Sequence, residues 1–582
     1  KFMWMGLVIS CLSCGGETDS KQTSEVGICT QDATVEWSEP SLSFRVPSCA
    51  SFDVQPRVLG DGEFSISFAF VDGGLQPEIT AIRDGVFRGF ILEGVHEQVG
   101  EKEPVLWRQG YQSWSFSGVV EISPTSLDSE GIPEVGGDGD AAAVAFEKDG
   151  TSWWVGAVGK AEGGTLLVGA MSAMKTRFFV AFDATNMWAV WGHRGDEISM
   201  SAGDVLQLDP VWFGAGPNAD ALHVQYAEVA AKRIGVEPPT GLPPTGWATW
   251  YHFFEDITEA DVRGNLNVAR TLSSATGALP FEVFQIDDGW QRVWGDWTAD
   301  DGFPSGMEVL ANDIEESGLT PGLWMAPFYV DRSTSTYVDH PDWWVRDLDG
   351  KEISFLNLNT GDYAVLDVTH PDAAVWLHDV ISSKVEEGWS YLKLDFLYAG
   401  AQVGLRHQDV TGVQAFHQGM SIIREAAGDA WILACGAPLL PSLGYVQSFR
   451  TGADIAFGFD RIPKLDYLRW AARSTSARAW SNGIWWWIDP DQLLVRPPFT
   501  DAEATGAVVA NVISGGVWML GDNLPALSDA RLGLVTAETL VALRGMRGHP
   551  RNPLEFVSGI DPGPPFEGVN PNDQVPVFWD FS

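Results

Sequence analysis

From Gly246 to Asp522 the sequence alternates short apolar runs with longer segments of helical periodicity, and this alternation constrains the fold more than any other feature. A strand followed by a helix and another strand is typical of βα units, whose strands pair in parallel. Eight such strands are predicted, at 246–250, 282–287, 321–327, 391–397, 431–437, 448–454, 483–489 and 517–522. Eight strands within about 300 residues predict a (β/α)8 TIM barrel with insertions.

The segments between these strands predict the helices of the barrel. Apolar residues recur in them every three or four positions, which gives each helix one face to pack on the sheet. Helices are predicted at 259–274, 374–387, 414–427, 465–480, 501–513 and 537–546. Together with the strands they predict one barrel domain over residues 244–548.

The rest of the chain is predicted to form other domains, because 582 residues exceed the size of one ordinary domain. Residues 34–238 carry short alternating apolar runs broken by Gly, Asp and Pro, which is typical of an antiparallel β-sandwich. A segment rich in Pro and Gly, 238–244, predicts a linker to the barrel. Residues 549–582 predict the start of an incomplete C-terminal β-domain.

The charge of the chain excludes one class of partner. Its net charge is −42, from 78 acidic and 36 basic residues. Such a field repels the phosphate backbone, so nucleic-acid binding is excluded. A shell of solvated carboxylates favours solubility and does not identify a substrate.

The first residues predict an export signal. Residues 1–14 contain an apolar run too short to span a bilayer, and Cys11 follows a small residue, a pattern that resembles the lipobox of bacterial lipoproteins. We therefore expect export, a lipid anchor as the only membrane contact, and a place in the bacterial cell envelope; a plain secretory signal is the alternative. Residues 15–33 predict a flexible tether. After export, Cys29 and Cys49 could pair as a disulfide.

Acidic and basic side chains lie at the ends of three predicted strands. They are Asp287, Asp288, Lys393, Asp395, Arg450 and Asp454. The carboxyl ends of barrel strands open onto one face, so these side chains are expected to meet there. Two carboxylates facing one substrate suit glycoside hydrolysis with retention, in which one attacks and the other donates and then withdraws a proton. Asp395 and Asp454 are the predicted pair.

Tryptophan is frequent, with 27 copies. Flat indole faces pack on the C–H faces of sugar rings, and the indole N–H can reach a hydroxyl. Most of these residues must lie in the core, and we expect only a few to touch a ligand.

Nine short motifs follow one another in a fixed order. They are Gly110–Ser115, Gly246–Tyr251, Asp287–Trp290, Gly322–Phe328, His340–Trp343, Lys393–Gly400, Cys435–Pro441, Arg450–Asp454 and Asp489–Asp491. In this order they resemble glycoside hydrolase family 36, the α-galactosidases, and above all its compact bacterial members. The resemblance covers the whole barrel and reaches into the N-terminal domain.

The resemblance implies roles for the residues at two strand ends. Asp395 matches the nucleophile, which forms a covalent glycosyl-enzyme that water later resolves. Asp454 matches the acid/base, and Arg450 matches an arginine that holds sugar oxygens or orients Asp395. Lys393 faces the same way as Asp395, because strand side chains alternate, and can keep that carboxylate ionised and bind a hydroxyl.

Adjacent carboxylates need partners when they are buried. The resemblance supplies them for Asp287 and Asp288 as the C4 and C6 hydroxyls of a terminal galactose, which would select galacto over gluco sugars. A metal site is the competing interpretation. With no His or third carboxylate at ligand spacing, no metal is predicted, and no cofactor is needed. Asp489 and Asp491 are expected to brace loops.

Other residues are expected to line the pocket. Trp247, Trp290 and Trp324 are expected to form the pocket wall, and the resemblance makes Trp247 the one that contacts the sugar. Barrel core is the alternative for Trp290 and Trp324. Cys435 and Gly436 match a stretch beside the C2 hydroxyl, where a thiol leaves little room for an N-acetyl group. Trp114 is expected to be buried in the β-sandwich, although it could rim the pocket.

The resemblance implies a retaining exo-α-galactosidase that removes terminal α-linked galactose from oligosaccharides or galactosylated glycans. Three alternatives stay open: a galactosyl-transferring relative with the same residues, an α-N-acetylgalactosaminidase, and a surface glycan-binding protein without catalysis. Oligomeric state cannot be predicted from the sequence.

Overall fold

Most of the two predicted domains is described by the computed structural model. The described residues are 50–95, 105–122, 151–159, 165–183, 186–192, 195–216, 219–276, 279–357, 361–456 and 465–536, with Leu127, Pro133 and short strands at 34–38, 41–46, 547–550, 566–569 and 576–578. The predicted signal segment, tether, Cys29, Cys49 and the helix at 537–546 lie outside them.

Alternating apolar residues give the strands of the N-terminal region. They are β1 (Thr34–Ser38), β2 (Ser41–Val46), β3 (Ala50–Asp61), β4 (Phe64–Val71), β5 (Gly74–Ala81), β6 (Gly85–Val95), β7 (Val105–Arg108), β8 (Gly118–Glu121), β9 (Thr151–Trp153), β10 (Val155–Gly159), β11 (Thr165–Ala170), β12 (Phe178–Phe182), β13 (Asn186–Trp191), β14 (Ile198–Met200), β15 (Val205–Gln207) and β16 (Val211–Gly216).

These strands pair in two antiparallel sheets. One has the order β1-β2-β3-β6-β13-β12-β9, with β14 on β6; the other has the order β15-β5-β16-β11-β10-β7-β8, with β4 on β5. Strands β10 and β12 contact each other across the two sheets, as do β7 and β9. The predicted antiparallel β-sandwich is confirmed, while the domain bounds stay predictions.

The sequence reading missed a helix at the end of this region, α1 (Ala219–Ile234). It packs on β11 and β16, and the Tyr226 hydroxyl donates to the carbonyl oxygen of Ala170 at 2.7 Å. Buried residues recur along it at helical spacing, including Leu222 and Ala230. The surrounding chain alternates with a period of two, and this pattern obscures the helical signal.

The second half of the described chain alternates strands and helices. They are β17 (Thr245–Ala248), α2 (Trp250–Phe253), α3 (Glu259–Thr276), β18 (Val283–Ile286), β19 (Gln291–Val293), β20 (Asp296–Ala299), α4 (Met307–Glu316), β21 (Thr320–Met325), β22 (Tyr329–Asp331), α5 (Ser335–Asp339), β23 (Ser354–Asn357), β24 (Gly361–Val365), α6 (Pro371–Glu386), β25 (Tyr391–Leu394), α7 (Gly412–Ala427), β26 (Trp431–Ala434), β27 (Ser448–Arg450), α8 (Leu465–Arg478), β28 (Trp487–Asp489), α9 (Asp501–Ile513), β29 (Trp518–Leu520) and α10 (Asp529–Gly533).

Eight of these strands form one parallel sheet in the order β28-β27-β26-β25-β21-β18-β17-β29. The two end strands meet, since the amide of Val517 donates to the carbonyl of Ile488 at 2.8 Å and Leu493 bridges Leu520. The predicted TIM barrel is therefore confirmed. Helix α4, the β19–β20 hairpin and the antiparallel sheet of β22, β23 and β24 were not predicted.

All eight barrel strands lie where the apolar runs predict them, but several are shorter. The strand predicted at 448–454 ends at Arg450, so Asp454 lies in the loop beyond it. The strand predicted at 483–489 begins at Trp487, because Gly483 has a φ of +72° and belongs to a turn.

Beyond the barrel, β30 (Arg547–Pro550), β31 (Phe566–Val569) and β32 (Pro576–Phe578) form a small antiparallel sheet. The structure thus contains β-strands where a C-terminal β-domain was predicted. Among the described residues, no helix combines the length and the apolar character needed to cross a bilayer.

Candidate active site

Asp395 directly follows strand β25 and is held by two neutral donors. Its Oδ2 accepts a hydrogen bond from the indole N–H of Trp324 at 3.0 Å, and its Oδ1 accepts one from the amide of Phe396 at 2.8 Å. Phe396 has a φ of +54°, a left-handed conformation that L-residues seldom adopt. The carboxylate is therefore fixed in one orientation at the mouth of the barrel.

Lys393 lies on the same side of β25 as Asp395 but makes its ion pair elsewhere. Its Nζ lies 2.9 Å from Oδ2 of Asp287, at the end of the second barrel strand. Burial alone would lower the pKa of Lys393, but the charges of Asp287 and Asp395 raise it above its ordinary value. The predicted link between Lys393 and Asp395 is thus electrostatic, and the direct contact is with Asp287.

The two adjacent carboxylates have different protein partners. Asp287 accepts from Lys393 and, at 2.6 Å, from the side-chain amide of Gln285. Asp288 accepts from the side-chain amide of Gln291 at 2.5 Å and from the indole of Trp294 at 3.1 Å. Because no cation among the described residues pairs with it, burial raises the pKa of Asp288 to about 7.

This raised pKa predicts a pH dependence of stability. The usual pKa of Asp is 3.8 and that of folded Asp288 is about 7. Between these values the folded state binds more protons than the unfolded state, so this group's contribution to stability falls as pH rises. Near pH 4 the free energy of unfolding of Asp288→Asn should equal that of the wild type, because both donors bond Oδ1 and Asn keeps that oxygen. By pH 8 the variant should be more stable than the wild type by on the order of 4 kcal/mol.

Urea unfolding followed by fluorescence from pH 4 to pH 8 checks this expectation. Asp301 is exposed, so Asp301→Asn is the matched control and should follow the wild-type curve at every pH. A constant difference between Asp288→Asn and the wild type across the range would contradict the burial of an ionisable carboxylate.

Arg450 and Asp454 meet on the other side of the mouth. Nη2 of Arg450 lies 2.9 Å from Oδ1 of Asp454 and 2.5 Å from Oδ2 of Asp491, which also accepts from the hydroxyl of Tyr251. The side chain of Arg450 is 2% exposed, whereas that of Asp454 is 34% exposed. Arg450 thus orients Asp454, whereas the alternative that it orients Asp395 finds no contact in the structure.

Cys435 lies close to the strand ends that carry the two predicted catalytic carboxylates, since its amide donates to the carbonyl of Leu394, the residue before Asp395, at 2.8 Å. Its thiol is 3.8 Å from Nη1 of Arg450. Burial raises the pKa of this thiol, and the charges of Asp395 and Asp454 both raise it further. The backbone beside Asp395 and the guanidinium that bonds Asp454 therefore meet at Cys435, which brings the two predicted catalytic residues into one site.

Position 436 requires a glycine because the backbone of Phe396 and the ring of Trp114 both lie close to it. It has a φ of +56°, and a Cβ at this position would lie 3.1 Å from the backbone of Phe396 and 3.2 Å from the ring of Trp114. A side chain would strain the backbone and push one of these neighbours away.

The three predicted wall tryptophans differ in their surroundings. Trp290 has no exposed surface, and its N–H donates to the carbonyl of Trp324 at 3.0 Å. Trp324 bonds the carboxylate of Asp395. Trp247 has no exposed surface; its N–H donates to the carbonyl of Asp522 at 2.7 Å and its ring stacks on Phe284. Trp247 therefore packs as a core residue in this structure, and its contact with a sugar stays a prediction.

Sequence reasoning missed three contributors to the site. Tyr251 and Asp491 join the Arg450 network, and Trp294 bonds Asp288. Asp491 and Tyr251 both lie in motifs of the resemblance, so their positions were visible although their contacts were not.

The prediction that Trp114 is buried in the β-sandwich is wrong. Its indole N–H donates to Sγ of Cys435 at 3.3 Å, and its ring packs edge-on against Phe396 with centroids 5.1 Å apart. This residue lies at the mouth of the barrel.

The carboxylates of the site are not arranged as metal ligands. In the part of the chain that the structure describes, no group of three or more His, Cys, Asp or Glu side chains could hold a metal ion. The donors around Asp287 and Asp288 are amide, indole and ammonium groups, and the ammonium of Lys393 already places a positive charge beside Asp287.

Comparison with known proteins adds sequence matches inside the barrel. The Melibiase family model matches residues 262–422. α-Galactosidase AgaA of Geobacillus stearothermophilus is 33% identical over 16% of this chain and 13% of its own. α-Galactosidase C of Emericella nidulans is 28% identical over 25% of this chain and 21% of its own. The matched stretches thus span well under two thirds of these curated relatives.

Structural comparison extends further along the chain. TtGalA, an α-galactosidase from Thermus thermophilus solved with p-nitrophenyl α-D-galactopyranoside, has a TM-score of 0.62 and 27% identity, over 84% of this chain and 96% of its own. The family 36 α-galactosidase AgaA from Geobacillus stearothermophilus shares the fold, with a TM-score of 0.57 and 13% identity over 91% of this chain and 73% of its own. The described part of the chain thus shares the fold of these α-galactosidases, and its residues 262–422 match the Melibiase family model.

Proposed function

We propose that the protein is a retaining exo-α-galactosidase that removes terminal α-linked galactose from oligosaccharides or galactosylated glycans. The observation that carries the proposal is that Cys435 contacts both strand ends: its amide bonds the carbonyl of Leu394, next to Asp395, and its thiol lies 3.8 Å from Arg450, which bonds Asp454. TtGalA, which this chain resembles over 84% of its length, was solved with an aryl α-galactoside and also with stachyose.

Asp395 is the nucleophile in this proposal. Its carboxylate attacks the anomeric carbon while Trp324 and the amide of Phe396 hold both oxygens in place. A carboxylate that is already oriented lowers the activation barrier, because the reacting atoms lose little further entropy on the way to the transition state. The product of the first step is a covalent glycosyl-enzyme.

Asp454 protonates the departing oxygen and then takes a proton from water. Its side chain is the more exposed of the two, which suits a group that must meet both the leaving group and the incoming water. Arg450 holds it through one hydrogen bond and is itself held by Asp491. Among the described residues, Arg450 is therefore the side chain that anchors the acid/base.

Selectivity for galactose would reside in the buried acidic pair. Asp287 and Asp288 are hydrogen-bond acceptors in a site with little solvent, so a sugar that presents no hydroxyl to them leaves a buried acceptor unpaired. The axial C4 hydroxyl of galactose is the proposed partner, and the equatorial hydroxyl of glucose would miss it.

Export and a lipid anchor through residues 1–14 are part of the proposal for the whole protein. They rest on the apolar run and on Cys11. Metabolic labelling with a radioactive fatty acid tests the anchor, and Cys11→Ala should remove the label.

Hydrolysis rates of aryl α-galactoside, α-glucoside and α-N-acetylgalactosaminide test the activity. The proposal predicts rapid hydrolysis of the galactoside alone. Comparable turnover of the N-acetyl substrate would favour an α-N-acetylgalactosaminidase, and transfer to added oligosaccharide in place of hydrolysis would favour a galactosyl transferase. A folded protein that binds α-galactosides without turnover would favour a glycan-binding role.

A further inference from the structure

Asp491 is a buried carboxylate to which the proposed mechanism gives no chemical task. It lies in the loop after β28, its side chain is 2% exposed, and its two oxygens accept four hydrogen bonds. Oδ2 accepts from Nη2 of Arg450 at 2.5 Å, from the amide of Ile455 at 3.0 Å and from the hydroxyl of Tyr251. Oδ1 accepts from the amide of Gln492 at 2.7 Å. These donors favour a negative charge on this side chain.

The backbone of Asp491 is held in a conformation that L-residues seldom adopt. Its φ is +81°, and this left-handed geometry costs free energy at a residue with a side chain. The amide of Asp491 donates to Oδ1 of Asp489 at 3.0 Å, and Nδ2 of Asn511 donates to the carbonyl of Asp491 at 3.1 Å. Strain that neighbouring side chains maintain in this way aims the carboxylate at Arg450 and indicates a functional position.

One nitrogen of Arg450 contacts two carboxylates. Nη2 lies 2.5 Å from Oδ2 of Asp491 and 2.9 Å from Oδ1 of Asp454. The guanidinium has a single positive charge, so it balances only one of these carboxylates when both are ionised. The second negative charge is costly, because a nearby like charge disfavours ionisation.

The surroundings of the two carboxylates differ. Asp491 has four donors, whereas Arg450 is the one donor to the side chain of Asp454 among the described residues. Asp454 is also 34% exposed, which leaves it open to a departing oxygen and to water. Asp491 is therefore the better place for the negative charge, and Asp454 is the better place for a proton.

Two neutral groups also face Arg450. They are the hydroxyl of Tyr251, 3.5 Å from Nη2, and the thiol of Cys435, 3.8 Å from Nη1. Burial raises the pKa of both groups, so neither carries a charge near pH 7. They therefore do not compete with Asp454 and Asp491 for the positive charge.

Charged groups at neighbouring strand ends leave the pair with excess negative charge. Lys393, the cation at the end of β25, makes its ion pair with Asp287. Asp489, at the end of β28, adds another carboxylate, and burial together with the charges of Asp454 and Asp489 raises the pKa of Asp491 to about 7. Two interacting carboxylates titrate as a unit, so this pair keeps one proton up to neutral pH.

We propose that Asp491 is the positioning residue of the acid/base and that Asp454 and Asp491 share one proton, so that the pair and Arg450 together carry no net charge. This inference rests on the proposed function. Through the amide of Ile455, the residue after Asp454, Asp491 also fixes the loop that carries the acid/base.

The shared proton gives the pair both halves of its task. Asp454 holds the proton and delivers it to the departing oxygen. Both carboxylates are then ionised beside one cation, and their repulsion makes Asp454 a stronger base. Asp454 next takes a proton from the attacking water, whose oxygen bonds the anomeric carbon as the ester to Asp395 breaks. The pair thereby returns to its singly protonated state.

The pH profile of kcat/KM tests the proposal, with methyl α-galactoside as a substrate whose basic departing oxygen needs the proton. In Asp491→Asn the charge of Arg450 is left to Asp454 alone, so Asp454 should lose its proton at lower pH. The alkaline limb should move down by about one pH unit or more, and kcat/KM at pH 8 should fall by about 10-fold or more. A nitrophenyl α-galactoside, which needs no acid assistance, should change far less.

Tyr251→Phe tests the pair from the other side. It removes one donor to ionised Asp491 and leaves every charge in place, so the doubly ionised pair becomes less stable. The alkaline limb should therefore move to higher pH, opposite to its shift in Asp491→Asn. A general loosening of the fold would not move the two limbs in opposite directions.

Asp522→Asn is the matched control. Asp522 is also a buried carboxylate paired with an arginine, since its Oδ1 accepts from Nη1 of Arg496 at 2.9 Å and its Oδ2 accepts from the amide of Val495 at 2.6 Å. The same change from Asp to Asn here should lower the melting temperature and leave the alkaline limb at its wild-type position.

The outcomes separate this inference from the proposed function. Wild-type protein that hydrolyses no α-galactoside overturns both. An active wild type whose alkaline limb stays in place in Asp491→Asn overturns the shared proton, and so does an equal shift in Asp522→Asn. Where Asp491→Asn fails to fold, Tyr251→Phe decides the matter, because an unchanged limb or a shift to lower pH overturns the inference.

Discussion

Replacement of Asp395 by Ala should lower kcat for an aryl α-galactoside by at least about 10⁴-fold, because it removes the carboxylate that forms the covalent intermediate in the proposed mechanism. The side chain is 7% exposed and its partners are an indole and a backbone amide, so the variant leaves two neutral donors unpaired and no buried charge. The protein should therefore still fold, and circular dichroism and the melting temperature establish this.

Added azide makes the Asp395 prediction specific. The small anion fits the space that the carboxylate leaves and attacks from the same face, so Asp395→Ala should regain turnover and release β-galactosyl azide. The exposed residue Asp301 supplies the control, since Asp301→Ala should keep wild-type turnover and form no azide adduct. Absence of rescue together with a modest loss of kcat would remove Asp395 from the nucleophile role.

Replacement of Asp454 by Ala should discriminate between leaving groups. Substrates with a basic departing oxygen, such as raffinose-type oligosaccharides, need protonation and should lose about 10³-fold or more in kcat/KM. Nitrophenolate departs from a nitrophenyl α-galactoside without acid assistance, so kcat/KM for this substrate should fall far less. Its kcat should still drop, because the glycosyl-enzyme now lacks a base for water.

Azide distinguishes Asp454 from Asp395. In Asp454→Ala the anion attacks the covalent intermediate from the face that water uses, so the product should be α-galactosyl azide, the opposite anomer to that expected for Asp395→Ala. Because Arg450 would keep Asp491 as a partner, the variant should remain folded. Equal losses on both classes of substrate would contradict the assignment of Asp454.

Regular chain patterns predicted the scaffold of the site. The apolar runs located all eight barrel strands, and strand alternation put Lys393 on the same side as Asp395. These features follow from local periodicity and from the rule that barrel strands end on one face. Helix α1 escaped because a short helical stretch inside a β-rich region carries a weaker signal than its surroundings.

Partner choice among the charged side chains could not be predicted in the same way. Lys393 pairs with Asp287, which lies 106 residues away in sequence, and Arg450 bridges Asp454 and Asp491. Each cation has several carboxylates within reach at the mouth, and side-chain packing decides which it contacts. The position of a charged residue in the sequence predicts that it lies at the barrel mouth, but not which carboxylate it contacts.

The sequence predicted a contribution of the N-terminal region only as the less favoured alternative. Trp114 lies in a β-rich segment and was expected in its core, yet it meets Cys435, 321 residues later in the chain. A contact between two domains leaves no periodic trace in either. The Gly110–Ser115 motif was the one available signal, since a stretch that resembles an enzyme family outside the catalytic barrel indicates a role at the site.

The stereochemistry of the first product tests the central claim most directly. Proton NMR during rapid hydrolysis of an aryl α-galactoside, read before mutarotation, identifies the anomer that the enzyme releases. Double displacement through Asp395 predicts that α-galactose appears first and that the β-anomer follows only as the sugar equilibrates. Initial release of β-galactose would mean single displacement by water and would contradict a covalent role for Asp395.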